Sequence, residues 1–148
     1  DEHSLHTDGA GAGEYRGGSG AVRVYRSMNE NQTFTASFGR NKWPVWGAAG
    51  GKDGSVNYFQ FIDADGTVSE PMGIAARRVM NTNDVVRMVT ATGGGYGNPF
   101  KRPAEKVAMD VKNEYITVEQ AKADYGVLVD PETFKVLGLT EERQKAEK

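Results

Sequence analysis

The chain has 148 residues, with 18 Lys+Arg against 20 Asp+Glu for a formal charge of −2, no cysteine and 19 glycines. That is one domain by size, too neutral for generic phosphate-backbone binding and, without cysteine, unable to form disulfides, thiol nucleophiles, Cys-ligated zinc or iron–sulfur clusters. No apolar run approaches the ~18–20 residues of a membrane span, and no basic segment leads into an apolar one as in a secretory signal, so a cytoplasmic protein is expected.

The chain opens Asp1-Glu2-His3-Ser4-Leu5-His6 without methionine, which leads us to expect a processed product or a piece of something longer. His3 and His6, with Asp1, Glu2 and Asp8 close by, have a spacing that suits one metal ion only in a helix or turn. An exposed, mobile terminus is the expectation. Six glycines then fall in Gly9–Gly20, four in Gly47–Gly54 and four in Gly93–Gly97.

Between these windows the sequence reads as strand. Ala21–Arg26 alternates apolar and basic residues, and Gln32–Phe38 is rich in aromatic and β-branched residues. Met28–Asn31 suits a hairpin turn joining the two. Asn57–Ile62 is a third strand, Asp63–Gly66 a turn, and Thr67–Ser69 a short restart. Ile74–Met80 is ambiguous between strand and helix, and Val85–Ala91 is the last clear strand.

Pro103 suits a first helical position. Ala104, Val107, Ala108 and Val111 then form one apolar helical stripe. Thr117-Val118-Glu119-Gln120 is a capping box, Val118, Ala121 and Tyr125 line the buried face that follows, and Gly126 is a natural stop. Val127–Val129 reads as a brief strand. Thr140–Lys148 is charged with no apolar face and is expected to fray. The whole is a mainly β fold, with residues 1–100 a glycine-rich β body and 101–148 its helical tail.

A glycine-rich loop after a strand first suggests phosphate cradling. No Gly-x4-Gly-Lys-Ser/Thr string exists here, and Gly93-Gly94-Gly95-Tyr96-Gly97-Asn98 neither matches Gly-x-Gly-x-x-Gly nor opens a helix, since Pro99 follows. The windows are better explained by close packing of backbones without Cβ atoms, as extended polyproline-type segments do. Arg16, set between glycine pairs, is expected to cap backbone carbonyls there, with a carboxylate or a partner chain as the alternative. Trp43 and Trp46 are expected in a core or a subunit contact, with a binding platform as the alternative. Asp63, Asp65 and Gly66 lack the rest of a calcium loop and read as a hairpin turn.

In family terms, Gly9-Ala10-Gly11-Ala12-Gly13-Glu14-Tyr15-Arg16-Gly17-Gly18-Ser19-Gly20-Ala21-Val22-Arg23 resembles a string near the end of the hydantoinase B/oxoprolinase family. Pro44–Gly51, Gly93–Pro99, Asp110-Val111 and Val118–Val127 resemble further motifs of that family, in order, over roughly residues 8–130. The resemblance implies a barrel-like β body with glycine-rich polyproline-type segments, forming the C-terminal part of a B-type subunit. It also implies an ATP-dependent cyclic-amide hydrolase or an acetone- or acetophenone-type carboxylase. ATP with Mg and a divalent metal, Zn or Mn, are expected in the parent complex, together with the remainder of the B-type subunit and an ATP-binding A-type subunit. Nothing is expected to be bound by this chain itself, and no catalytic, cofactor-binding or metal residue is assigned to it. A stand-alone β-rich binding module using Trp43–Gly51 and a self-assembling structural protein remain as alternatives.

Overall fold

The computed structural model describes residues 1–7 and 9–146. It contains eight strands and three short helices, and the chain divides into two compact units. The first unit comprises Asp1–His6, Gly20–Pro44 and Val56–Ala91; the second comprises Thr7–Ser19, Val45–Ser55 and Thr92–Lys148.

In the first unit, β1 (Glu2–His6), β2 (Gly20–Arg26), β6 (Val85–Val89) and β4 (Tyr58–Ile62) form one antiparallel sheet in that order. A second, two-stranded sheet joins β3 (Gln32–Ser37) to β5 (Ile74–Met80). Phe59 and Phe61 alternate inward from β4 and pack with Met80 and Val86 in the core, against Phe34 and Phe38. The four phenyl rings meet edge to face, with centroids 5.5–5.8 Å apart, the arrangement their quadrupoles favour.

Three expectations for this part are corrected. The sheet is not a barrel, because β1 and β4 end it without pairing to each other; the outer side of β4 meets Val68 and Met72 through single bridges. Met28–Asn31 does not close a hairpin. It carries the chain from one sheet to the other, since β2 is already paired on both sides, by β1 and β6. The first residues are exposed as expected, yet they form a strand, β1, whose pairing runs from Glu2 opposite Val24 to His6 opposite Gly20.

The ambiguous stretch Ile74–Met80 is strand. Its alternation was hidden by a bulge: Phe34 faces Arg78 while Ala36 faces Ala75, so β5 carries one extra residue. Arg77 takes a φ of 53° there, and its N–H donates to the Thr35 hydroxyl at 3.1 Å.

In the second unit, α1 (Ala104–Lys112), α2 (Val118–Tyr125) and the hairpin β7 (Val127–Val129)–β8 (Val136–Leu139) surround a core of Val107, Ala108, Val111, Ile116, Ala121, Tyr125, Val127 and Val129. The expected apolar stripe supplies most of the α1 contribution. Both halves of the Thr117–Gln120 capping box form, and Gly126 ends α2 in the left-handed region at φ 63°. The β7–β8 turn is organised by Asp130, whose Oδ1 accepts from the backbone of Glu132 and Thr133 and from the Thr133 hydroxyl. Those bonds, from Thr133 first, hold its carboxyl below the usual range.

The expected fraying after Thr140 is corrected as well: Glu141–Ala146 is a helix, α3, while Glu147 and Lys148 lie outside the described residues. Its anchor is Arg143, 4% exposed, which donates to the carbonyls of Tyr125 and Arg102 at 2.9 Å each.

The glycine windows, apart from Gly20, belong to this second unit, together with the helices. Gly94 tests why they are glycine: a Cβ there would overlap the Trp46 carbonyl. Gly18, by contrast, has open space where its Cβ would stand. Gly94→Val is therefore expected to cost at least about 3 kcal/mol, while Gly18→Ala should stay within about 0.5 kcal/mol. Equal melting temperatures for the two variants would refute close backbone packing as the reason.

Candidate functional site

The three windows hydrogen-bond to one another through main chain. Gly11 and Lys52 N–H groups donate to Gly93 and Ala12 carbonyls at 2.9 and 2.7 Å. In the third window Gly93, Gly95, Tyr96 and Gly97 donate to the carbonyls of Gly18, Lys52, Tyr15 and Ala48, each at 2.9 Å. These four amide groups are the ones a phosphate-cradling loop would aim at its ligand, and here they are spent on neighbouring chain. The loop does not fit a nucleotide phosphate. Tyr15 and Tyr96, both more than half exposed, stand over this bundle with ring centroids 6.3 Å apart.

Beside the bundle lies a charge cluster. Arg102, on the approach to α1, gives Asp110 Oδ2 two contacts, at 3.1 Å from Nε and 2.8 Å from Nη2, and its Nη1 donates to the Glu14 carbonyl at 3.0 Å. Arg16, from the first window, brings Nε to 3.7 Å from the same Asp110 oxygen and sets its guanidinium 4.8 Å above the Tyr115 ring. The side chains of Arg16, Arg102 and Asp110 are 12%, 13% and 10% exposed. Arg16 is thus a partner of a carboxylate and an aromatic ring, not the carbonyl cap expected of it.

Tyr125 is 1% exposed and its hydroxyl has no hydrogen-bond partner in the structure. Burial pushes its phenol up to about 12, against the downward pull of Arg102 and Arg16.

The other residues singled out by sequence do not converge on a site. His3 and His6 are three apart on a strand, so their side chains leave opposite faces and cannot share an ion. The His6 ring lies 2.8 Å from the Thr90 carbonyl through Nδ1, and Asp8 lies outside the described residues. Among the described residues no group of three or more His, Asp or Glu side chains could hold a metal. Asp63 pairs with Arg78, while Asp65 accepts from the Thr67 N–H and Gly66 takes a φ of 89°, which is a hairpin turn as expected. Trp43 and Trp46 are 79% and 72% exposed, so neither is in a core. Sequence reasoning missed Asp110 as the carboxylate facing Arg16, and Arg102 as the second guanidinium on it. The one available signal was an aspartate inside the otherwise apolar stripe of α1, three residues after Val107.

This combination of interlocked glycine windows, an antiparallel β unit and a small helical unit recurs in known proteins. The sequence profile of the hydantoinase B/oxoprolinase family matches residues 1–99, and the chain belongs to that family. It is 34% identical over 128 residues to an uncharacterized protein of Methanocaldococcus jannaschii. It is 31% identical over 144 residues to the beta subunit of caprolactamase from Pseudomonas jessenii, and 30% identical over 129 residues to the B-type subunit of a putative D-/L-hydantoinase from a Pseudomonas species. Each alignment covers 86% of this chain and 22% of the relative, so the chain spans about a fifth of their length. The crystal structure of the ATP-dependent caprolactamase from Pseudomonas jessenii superposes with a TM-score of 0.76 at 30% identity, over 98% of this chain and 25% of that one. Nucleotide-free acetone carboxylase shares the fold at a TM-score of 0.76 and 19% identity, over 97% of this chain and 23% of that one. Among the described residues no helix is long and apolar enough to cross a membrane.

Two outcomes test this geometry. Asp110→Asn removes a carboxylate facing two largely buried guanidinium groups and should cost about 3–5 kcal/mol in chemical denaturation; a change under about 1 kcal/mol would show that the cluster is solvated. The raised Tyr125 pKa favours the protonated phenol in the folded chain. Its contribution to stability is complete below about pH 10 and lost as pH climbs toward about 12. Of the six tyrosines, Tyr125 should be the last to ionise in an ultraviolet titration; loss of that late step in the wild type would contradict its burial.

Proposed function

We propose that this chain is the structural and assembly portion of the B-type subunit of an ATP-dependent cyclic-amide hydrolase complex. The observation that carries the reading is the match of nearly the whole chain to about a fifth of two proteins that are themselves named as subunits, of a caprolactamase and of a hydantoinase. The inward use of the glycine-window amides supports a scaffold role, because a loop whose donors are already bonded holds chain segments together rather than a substrate. Identity of 30–31% to the two amide-hydrolase relatives, against 19% to acetone carboxylase, favours hydrolysis over the carboxylase alternative.

On this reading ATP, Mg and the divalent metal are bound by other parts of the complex, and an A-type subunit is the partner. The arrangement of residues 1–100 and 101–148 as parts of one domain belongs to the same proposal. Affinity purification of the chain from its own cells should recover a larger ATP-binding polypeptide, and ATP-dependent opening of hydantoin, 5-oxoproline or caprolactam should appear only in that recovered complex. A chain that purifies alone and monomeric, or that turns over any of the three by itself, would overturn the proposal.

A further inference from the structure

The inner face of the four-stranded sheet in the first unit is covered over only part of its width. Cross-strand register puts Phe59, Met88, Arg23 and His3 in one row of that face, and Phe61, Val86 and Tyr25 in the next. Directly opposed residues of antiparallel strands share a face, so both rows start in the phenylalanine core. Phe59 and Phe61 are buried and Met88 is half-buried, but Tyr25 is 52% exposed, and Arg23 and His3 are exposed as well. Leu5, two residues after His3 and on the same face, is 63% exposed. Among the described residues no ion pair holds Arg23.

The covering layer is β3 and β5 alone. β5 lies toward the Ile62 and Val85 ends of the larger sheet: Arg78 pairs with Asp63 at 3.1 Å, and the Asn81 N–H donates to Asp84 at 2.7 Å. β3 runs diagonally from beside Ser27, whose hydroxyl is 3.0 Å from the Gln32 side chain, to the contact of Arg40 with Asn57 ahead of β4. Its unpaired edge faces β1 and the first half of β2. Phe38, next after β3, donates its N–H to the Gly73 carbonyl on the β5 side, so by strand alternation Thr33, Thr35 and Ser37 direct theirs away from β5. Where β3 and β2 part, a cleft of about 330 Å³ lies open, lined in part by Tyr25, Thr33, Phe34, Met80, Val86 and Met88.

We propose that the open edge of β3 receives one further β-strand, supplied by the remainder of the B-type subunit, which lies over Tyr25, Arg23 and Leu5 as the third strand of the second sheet. The inference rests on the assembly reading, under which most of the subunit lies outside this chain, as it does in relatives of which the chain matches 22%. An edge offers free main-chain donors and acceptors, and the face beside it offers apolar contact, which together select an extended segment. The inward residues of that segment are apolar against Tyr25 and Leu5, with a carboxylate opposite Arg23. A second copy of β3 fits poorly, because Gln32–Ser37 has no acidic residue to meet Arg23.

The test is amide exchange of β3 in the assembled complex and in the 148-residue chain alone. Exchange at Thr33, Thr35 and Ser37 should be slower in the complex by about tenfold or more. Thr33→Pro removes one outward N–H and spares the β3–β5 ladder, as an edge strand tolerates. It should leave the melting temperature of the chain alone within about 3 °C of wild type and abolish the protection of Thr35 and Ser37 in the complex. Arg23→Glu repels the carboxylate and should speed exchange at the three amides in the complex by about threefold or more; it decides the matter should Thr33→Pro fail to fold. If no larger polypeptide accompanies the chain, the assembly reading fails and this inference with it. A complex in which the three amides exchange as they do in the chain alone, or in which both variants keep wild-type protection, overturns this inference and leaves assembly standing. Protection that arises from self-association of the chain alone puts a second copy on the edge and overturns it too.

Discussion

Carbonyl oxygens of Ala12, Lys52, Gly93 and Gly95 lie against the α-carbons of Gly95, Gly11, Gly17 and Gly51, closer than any side chain would allow. This approach of backbone to backbone is the constraint on which the second unit rests. It brings three stretches far apart in sequence into hydrogen-bonding distance, and it requires that nothing project between them. The arrangement is not a β-sheet. Tyr96 meets Tyr15 in an antiparallel bridge and Ala48 in a parallel one, so a single residue ties both neighbouring windows together.

The helical elements build on that base. Ala12, from the first window, is part of the core that α1 and α2 form. Arg16, four residues on, reaches Asp110 in the middle of α1, while Lys52 of the second window pairs with Asp124 of α2. Each charged contact joins a window to a helix, so the helices are fixed to the bundle by charge as well as by apolar packing. A buried carboxylate facing two guanidinium groups adds little net stability, but breaking it is costly, which makes Asp110 a constraint on the arrangement rather than a source of stability. The same fold recurs with TM-scores of 0.76 in much longer chains.

Much of this was legible in the sequence because local signals and tertiary packing agreed. The capping box at Thr117, the stop at Gly126 and the apolar stripe of α1 each depend on residues within one or two turns, and each formed as read. The clustering of glycine marked the windows, since only close approach explains so many positions without Cβ outside turns. Long-range choices were not legible. Nothing local in Glu2–His6 announces pairing with β2, because the strand is mostly exposed and carries few β-forming residues. The bulge opposite Thr35 broke the alternation of β5, and Arg143 holds α3 through carbonyls 18 and 41 residues away, a contact no periodicity encodes. The Asp130-Pro131-Glu132-Thr133 turn was a readable signal for the β7–β8 hairpin.

The most direct measurement of the central claim is amide hydrogen exchange at Gly93, Gly95, Tyr96 and Gly97 in the native chain, with and without ATP. If these groups hold the windows together, all four exchange slowly, near the rate set by global unfolding, and ATP leaves them unchanged. Rapid exchange at these amides, or protection that appears only when nucleotide is added, would mean that the glycine windows serve a ligand and not the scaffold.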